Sequence, residues 1–289
     1  MPEPGTRRSA RPALAAFLRN GPAMAGLLAL ALIAALALAA PVIYPEDPLA
    51  MVARPLLWPG QDWTYPLGTD SLGRNVAAGV AWGARISLAV GFAAMLAGVT
   101  VGVAVGAVAG YFGGGVDSLL LRLVEVFQTV PSFLLLVILI VIAQPSLATV
   151  TSAIAFVTWP TVARLVRAEV RSLREREYVV AARALGVGPL RIIAVEILPG
   201  ALPPVIVTSS VLVASAILME SALSFLGLSD PNAVSWGSMI GSGRELLRTA
   251  WFLTAVPGLA IVVTVLALNL VSDGLNDALN PRLARDRSG

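Results

Sequence analysis

The side chains that could do chemistry in this chain are limited in kind before their positions are considered. All 20 basic residues are arginine, and lysine, histidine and cysteine are absent. That removes a histidine base, a Schiff-base or phosphate-loop lysine, disulfides, and Cys or His metal ligands. The carboxylates are scattered. Glu220 closes a long apolar run, where an ionisable group raises a functional question by default. It can equally tie Ser224 and the following loop together, and this structural role is the favoured reading. Asp70 and Arg74 stand four residues apart and can pair locally or face a partner. Asp230, Arg244, Glu245 and Arg248 form a second such group. Arg122 and Glu125, three apart beyond Asp117, can pair on one helix face. Asp273 and Asp277, with Arg282, read as the stop of a helix. No two carboxylates have a spacing and depth suited to hydrolysis. No His-Glu-x-x-His or Gly-x-Ser-x-Gly motif occurs, and Ser209, Ser210 and Ser221 have no base beside them. The expectation is a chain that is not itself an enzyme and binds no cofactor or metal.

The elements that carry these residues are membrane helices. Of the 289 residues, 57% are hydrophobic and only 13% charged, against about 25% charged in soluble domains; the mean hydropathy is +0.83. Residues 21–44 carry no charge. As a helix they span about 36 Å, enough to cross the roughly 30 Å hydrocarbon core. A cleaved signal peptide is the competing reading, but the run is long for one. Further spans are expected within residues 86–116, at 119–143, at 147–166 with a tight turn at Gln144-Pro145, at 197–219 and at 249–272. Between them lie polar loops at 45–85 and 227–248, edged by Trp58, Trp63, Tyr65, Trp236 and Trp251 as suits a membrane interface. Gly98, Gly102, Gly106 and Gly110 recur every fourth residue and make a smooth face for helix packing. Six spans put both termini on one side. That side takes 15 arginines, including Arg7, Arg8, Arg11, Arg19, Arg122, Arg282, Arg285 and Arg287, and the other takes five. The positive-inside rule makes the arginine-rich side cytoplasmic, which accounts for the net charge of +3 without nucleic-acid binding. The predicted layout is a cytoplasmic segment over residues 1–20, a transmembrane domain over 21–272 and a cytoplasmic tail over 273–289.

The longest cytoplasmic loop, residues 167–196, is an arginine-rich island. Arg164, Arg167, Arg171, Arg174, Arg176, Arg183 and Arg191 lie in or beside it. The stretch from Glu177 to Leu185 reads as a short helix stopped by Gly186, Gly188 and Pro189. Val180-Ala181-Ala182, then Gly186, then Leu198-Pro199 fall at the spacing Glu-Ala-Ala, three residues, Gly, nine residues, Ile, one residue, Leu-Pro, with Val180 in place of the Glu and Glu196 in place of the Ile. In this the island resembles the cytoplasmic signature of ATP-binding-cassette importer permeases. Other segments are similar to the dipeptide, oligopeptide and nickel permeases, and to their C-type subunit in particular. They are Tyr65-Pro66-Leu67-Gly68-Thr69-Asp70-Ser71-Leu72-Gly73-Arg74-Asn75, Gly110-Tyr111-Phe112-Gly113-Gly114 with Asp117, Met219-Glu220, Leu223-Ser224-Phe225-Leu226-Gly227, Ser235-Trp236-Gly237 and the tail through Pro281-Arg282.

The resemblance implies an all-α, six-span permease in a bacterial inner membrane, surrounded by membrane lipid. Its partners would be a homologous B-type permease as a heterodimer, one or two ATPase subunits that hold ATP and magnesium, and an extracytoplasmic substrate-binding protein. A coupling helix including Glu177, Tyr178, Ala181, Ala182, Arg183 and Leu185, followed by Gly186 and anchored through Pro199, would dock on the ATPase and drive alternating access. The small Ala181, Ala182 and Ala184 allow close approach. Asp70, Arg74 and Arg244 are the candidate contacts with the binding protein. Di- or oligopeptides would be the cargo, with nickel chelates, heme or glutathione-like peptides as alternatives. The path would run between the two permeases, lined by apolar wall from the third to fifth spans. An ion-driven secondary transporter is the competing class, but it usually buries ionisable relays mid-membrane, and the middles of these spans carry none.

Overall fold

The computed structural model describes residues 10–279; Arg7, Arg8, Pro281, Arg282, Arg285 and Arg287 lie outside them. The described residues are helical apart from the connecting loops. The helices are α1 Ala10–Leu18, α2 Gly21–Ile43, α3 Val76–Phe112, α4 Gly114–Thr129, α5 Ser132–Ala143, α6 Leu147–Leu173 and α7 Glu177–Ala184. After these come α8 Pro189–Phe225, α9 Trp236–Gly243 and α10 Phe252–Leu279. Five of them (α2, α3, α6, α8 and α10) are long and apolar enough to cross a membrane. Polar side chains fix where they begin. The amide oxygen of Asn20 accepts from the Ala23 N–H at 3.2 Å, that of Asn75 from the Ala77 N–H at 3.0 Å, and Ser146 and Thr149 form a reciprocal capping box at the start of α6.

The expected third span is not one rod. α4 and α5 meet at 83°, and α5 alone, at 12 residues, spans only about 18 Å. The break falls at Val130-Pro131. Proline disfavours helical backbone in the residue before it, and Val130 is extended (ψ 131°). By length and composition the pair makes a sixth crossing if it is counted as one bent span.

Other boundaries shift toward more helix. α3 begins at Val76, so the loop expected over 45–85 ends at Asn75, whose side chain caps the helix. At 37 residues α3 is about 55 Å long, far more than the hydrocarbon thickness. Within the island, α6 continues to Leu173 and α8 starts at Pro189, leaving only short turns on either side of α7. The loop over 227–248 contains α9, held by a second capping box between Ser235 and Ser238. Asp273 and Asp277 do not end the last helix, because α10 runs through both to Leu279.

α3 packs most extensively on α6, and the glycine repeat is the reason. A methyl group on Gly102 would stand 2.5 Å from Val162 Cβ and 2.8 Å from the Trp159 carbonyl oxygen; on Gly106, 2.5 Å from the Ala163 carbonyl oxygen. The two backbones therefore lie closer than any side chain permits. Gly98 and Gly110 continue this contact against Thr158 and Arg167. At one end of the bundle, Trp82 Nε1 donates to the Tyr44 carbonyl at 3.1 Å, joining the end of α2 to the start of α3. At the other, Asn20 Nδ2 donates to Asp277 at 3.3 Å, so the start of α2 and the end of α10 lie side by side, at the end that carries α7.

Candidate functional site

α7 is a two-turn helix pinned by one side chain. Glu177 in its first turn and Arg183 in its last oppose the helix dipole favourably. Val179 is fully buried, in a cluster with Val166 and Val170 of α6 and Ile192, Ile193 and Ile197 of α8; Ala182 and Val187 pack on it from the side. The helix ends in a Schellman motif. Val187 N–H donates to the Ala182 carbonyl and Gly186 N–H to the Arg183 carbonyl, both at 3.1 Å. Gly186 has φ +78°, the left-handed conformation that a side chain disfavours. Among the described residues nothing lies within 4 Å of where its Cβ would be. The glycine is required by the turn, while the space beside it is open.

Apart from the charged and exposed Glu177 and Arg183, the remaining surface of α7 is apolar and uncovered. Tyr178 is 46% exposed and Leu185 83%; Val180 and Ala181 are exposed beside them, and Leu190 is uncovered just beyond. Val180 stands where the signature has an acid, and it presents an apolar side chain outward. The first turns of α8 include a π-helical turn over Ile192–Ile197, after which the Leu198 N–H reaches back five residues to the Ile193 carbonyl. Pro199 follows and has no N–H to give. The widened turn accommodates the missing donor at the point where the helix enters the bundle.

Three island arginines brace this region against the α3–α4 corner. Arg167 grips Asp117 at the start of α4 in bidentate fashion through Nε and Nη2, the latter at 2.7 Å from Oδ2. Arg174 Nη1 donates to the carbonyls of Gly110 at 3.2 Å and Tyr111 at 3.3 Å. The Arg183 guanidinium lies 5.4 Å from the centre of the Tyr111 ring, within cation–π range. The Gly-Tyr-Phe-Gly-Gly…Asp segment and the island, 50 or more residues apart, are thus the two halves of one joint. The sequence reading found each half but not the connection. Arg122 and Glu125, which their spacing allows to pair, form no ion pair among the described residues, and Asp117 takes its partner from α6.

The opposite end of the bundle holds the other group of expected residues. Asp70 and Arg74 do interact, but through the backbone: Asp70 Oδ1 accepts from the N–H groups of Leu72 and Arg74, each at 2.8 Å. The Arg74 guanidinium makes no hydrogen bond or ion pair with the described residues, and its Nε–H is closed off from solvent. Arg244 is occupied, with Nη1 donating to the Phe225 carbonyl at 3.1 Å and its guanidinium over the Phe225 ring.

Glu220 is 2% exposed. It receives the Ser224 hydroxyl at 2.6 Å and lies 3.5 Å from the Ser87 hydroxyl of α3. Ser235 donates to Ser224 at 3.3 Å, and the Trp236 N–H donates to Ser87 at 3.3 Å. Gly237 lies so close to α8 that a Cβ would sit 2.4 Å from Ser221 Cα. The carboxylate therefore fastens α9 to α3 and α8.

Comparison with known proteins places this architecture. Residues 102–285 match the family described as binding-protein-dependent transport system inner membrane component. Residues 10–65 match the N-terminal transmembrane domain of oligopeptide transport permease C. The chain belongs to this family of binding-protein-dependent transport permeases. It is 37% identical over 273 residues to the dipeptide transport system permease protein DppC of Haemophilus influenzae, covering 92% of each chain. It is 40% identical to DppC of Escherichia coli K12, covering 92% of this chain and 91% of that one. A probable peptide ABC transporter permease of Sinorhizobium fredii is 44% identical over 254 residues, covering 87% of this chain and 86% of its own. Among solved structures, an inward-facing MetNI methionine ABC transporter chain superposes with a TM-score of 0.57 at 21% identity, over 68% of this chain and 94% of that one; the likeness is one of fold.

Proposed function

We propose that this chain is the membrane-spanning permease subunit of an ATP-driven importer that carries di- or oligopeptides into the cytoplasm by alternating access. The observation that carries the cargo is the near full-length similarity to dipeptide permeases. The end of the bundle bearing α7 faces the cytoplasm, together with both termini. There the exposed face of Tyr178, Ala181 and Leu185 docks on a separate ATPase subunit that holds ATP and magnesium. Ala182 and Arg183 attach α7 to the bundle, Gly186 turns the chain, and Pro199 leads into α8. A homologous B-type permease completes the translocation path, and a substrate-binding protein delivers peptide to the opposite end.

Coupling needs a short lever that does not bend. Buried Val179, the Schellman turn and the Arg174 and Arg183 braces support that reading, because a push on α7 reaches α3, α6 and α8 through packed contacts. The test is uptake of a labelled dipeptide into proteoliposomes containing the complete complex and its binding protein. Uptake should require hydrolysable ATP and stop when the ATPase partners are inactivated. Uptake that persists under those conditions with an ion gradient intact would mean a secondary transporter.

A further inference from the structure

α1 does not continue the span that follows it. It ends at Leu18, and the chain turns at Asn20, which is extended (φ −83°, ψ 101°) and caps α2. The packing of α2 on α10 sets the levels at this end of the bundle. Asn20 lies beside Asp277. One turn further into the bundle, a Cβ on Gly274 would stand 2.3 Å from Ala23 Cβ. The Phe17 ring reaches that same place, with Cε2 3.1 Å from the Gly274 position, and Phe17 is buried. A helix projecting straight out of α2 would carry Phe17 about 4.5 Å beyond Asn20, at 1.5 Å per residue. Its ring instead lies at the depth of Ala23. α1 is therefore folded back against the ends of α2 and α10, at the level where the charge-free run 21–44 begins.

Phe17 fixes one face of α1 and leaves the next one bare. Leu14 and Leu18, one turn apart on a single face, are 60% and 52% exposed. Arg19 follows directly, also exposed, and its guanidinium makes no hydrogen bond or ion pair among the described residues. The acid nearest to it in the fold, Asp277, accepts from Asn20 instead. Two uncovered leucines are unfavourable in water. Position decides what covers them, because a span of the same chain enters the hydrocarbon at this level. Leucines on one face beside a free cation suit a helix lying in the membrane interface, with its apolar face sunk about 5–10 Å into the headgroup boundary. The unpaired guanidinium complements lipid phosphate.

We infer that α1 is an interfacial foot of the permease, seated in an anionic lipid leaflet with Leu14 and Leu18 at the acyl boundary and Arg19 on headgroup phosphate. That the leaflet is the cytoplasmic one rests on the importer reading above, since α1 lies at the end of the bundle that carries α7. Through Phe17 the foot also braces the start of the first span against the end of the last.

The test uses the complete complex in nanodiscs of phosphatidylcholine mixed with phosphatidylglycerol. The chain has no cysteine, so a spin label on Leu14→Cys, Leu18→Cys or Arg19→Cys reports one position of it at a time. Collision of the label with oxygen, which concentrates among acyl chains, is compared with collision with a water-soluble nickel chelate. The oxygen-to-nickel ratio should be several-fold higher at the two leucine positions than at the arginine position. Collision mainly with nickel at the leucine positions, as for a helix standing in water, would overturn the seat. Exclusion of both reagents would mean that protein covers α1, and would overturn lipid as the occupant. Replacing phosphatidylglycerol by phosphatidylcholine should lower the seated population of Leu18→Cys relative to the lifted one about fivefold, the worth of one arginine at an anionic surface. Adding Arg19→Gln should remove most of that response. No response to the lipid exchange, or an equal response with Arg19→Gln, would overturn the anionic surface. The depth measurement needs neither ATP nor peptide, so it can fail while ATP-driven uptake proceeds, and uptake can fail while it holds.

Discussion

Arg167 and Asp117 lie 50 residues apart and meet at the corner where α4 leaves α3, with Nε and Nη2 on one edge of the guanidinium each donating to a different carboxylate oxygen. The pair is largely shielded, its side chains 21% and 14% exposed. It sets the direction of α4, which departs before the 83° break to α5, and it fixes the face of α6 to which α7 is attached. Removing one partner leaves the other charge in a poorly hydrated place.

Asp117→Ala should therefore destabilise the fold by about 1–3 kcal/mol, the cost of an unsatisfied, partly buried charged group. Thermal unfolding in detergent reads this as a lower midpoint. The double variant Asp117→Ala with Arg167→Ala should lose less than the two single losses added together. Strict additivity would show that the two residues act independently.

The glycine face of α3 makes a steeper prediction. Gly102→Val puts a branched side chain into Val162 and the Trp159 carbonyl, where backbone must move, and overpacking of this kind costs about 1–3 kcal/mol or more. Gly115→Ala, with nothing within 4 Å of the added carbon, should be close to neutral. Membrane abundance and the monodisperse fraction after extraction compare the two directly. Equal yields would mean that the α3–α6 contact is looser than described.

Gly186 separates conformation from contact. A residue with a Cβ in left-handed backbone costs about 1 kcal/mol or somewhat more, and asparagine costs less than a branched residue. Gly186→Val should disturb the turn after α7 and lower transport per ATP hydrolysed, while Gly186→Asn should keep more of it. The ratio of peptide uptake to phosphate release is the measurement. Unaltered coupling in Gly186→Val would remove this turn from the proposed lever.

Glu220 can be tested as the group that fastens α9. Glu220→Ala leaves the Ser224 and Ser87 hydroxyls without their acceptor and should release α9, at a cost of about 1–3 kcal/mol. Glu220→Gln retains an accepting oxygen of similar shape and should be milder. Limited proteolysis of the segment between α8 and α10 should be faster in the alanine variant. Identical cleavage in wild type and Glu220→Ala would show that the serine cluster holds α9 without the carboxylate.

Much of the architecture was legible because it is local. The charge-free runs, the asparagine and serine caps and the Gly186 stop each act within a few residues, and α2, α6 and α7 lie near where the sequence reading places them. The break at Val130-Pro131 was hidden inside an apolar stretch, where composition does not distinguish a straight span from a bent one. The loop boundaries at Asn75 and Pro189 were missed because uncharged or weakly polar residues continue a helix as readily as a loop. The arginines posed the same difficulty. Positive charge on one side of a membrane protein explains them all equally well, so sequence alone could not separate Arg167, Arg174 and Arg183, which brace the fold, from the others.

The sequence by itself determined a helical membrane protein, its periodic glycine seam, its short stopped helix in an arginine-rich island and the family signature around it, since these depend on hydropathy, helix period and spacing along one chain. Only the tertiary structure decided which charges are spent. It gave Asp117 to Arg167, Arg244 to the end of α8 and Glu220 to α9, and among the described residues it left Arg74 Nε without an acceptor. Such assignments depend on groups brought within about 3 Å from distant positions, and the pattern of residues along the chain holds no record of those distances.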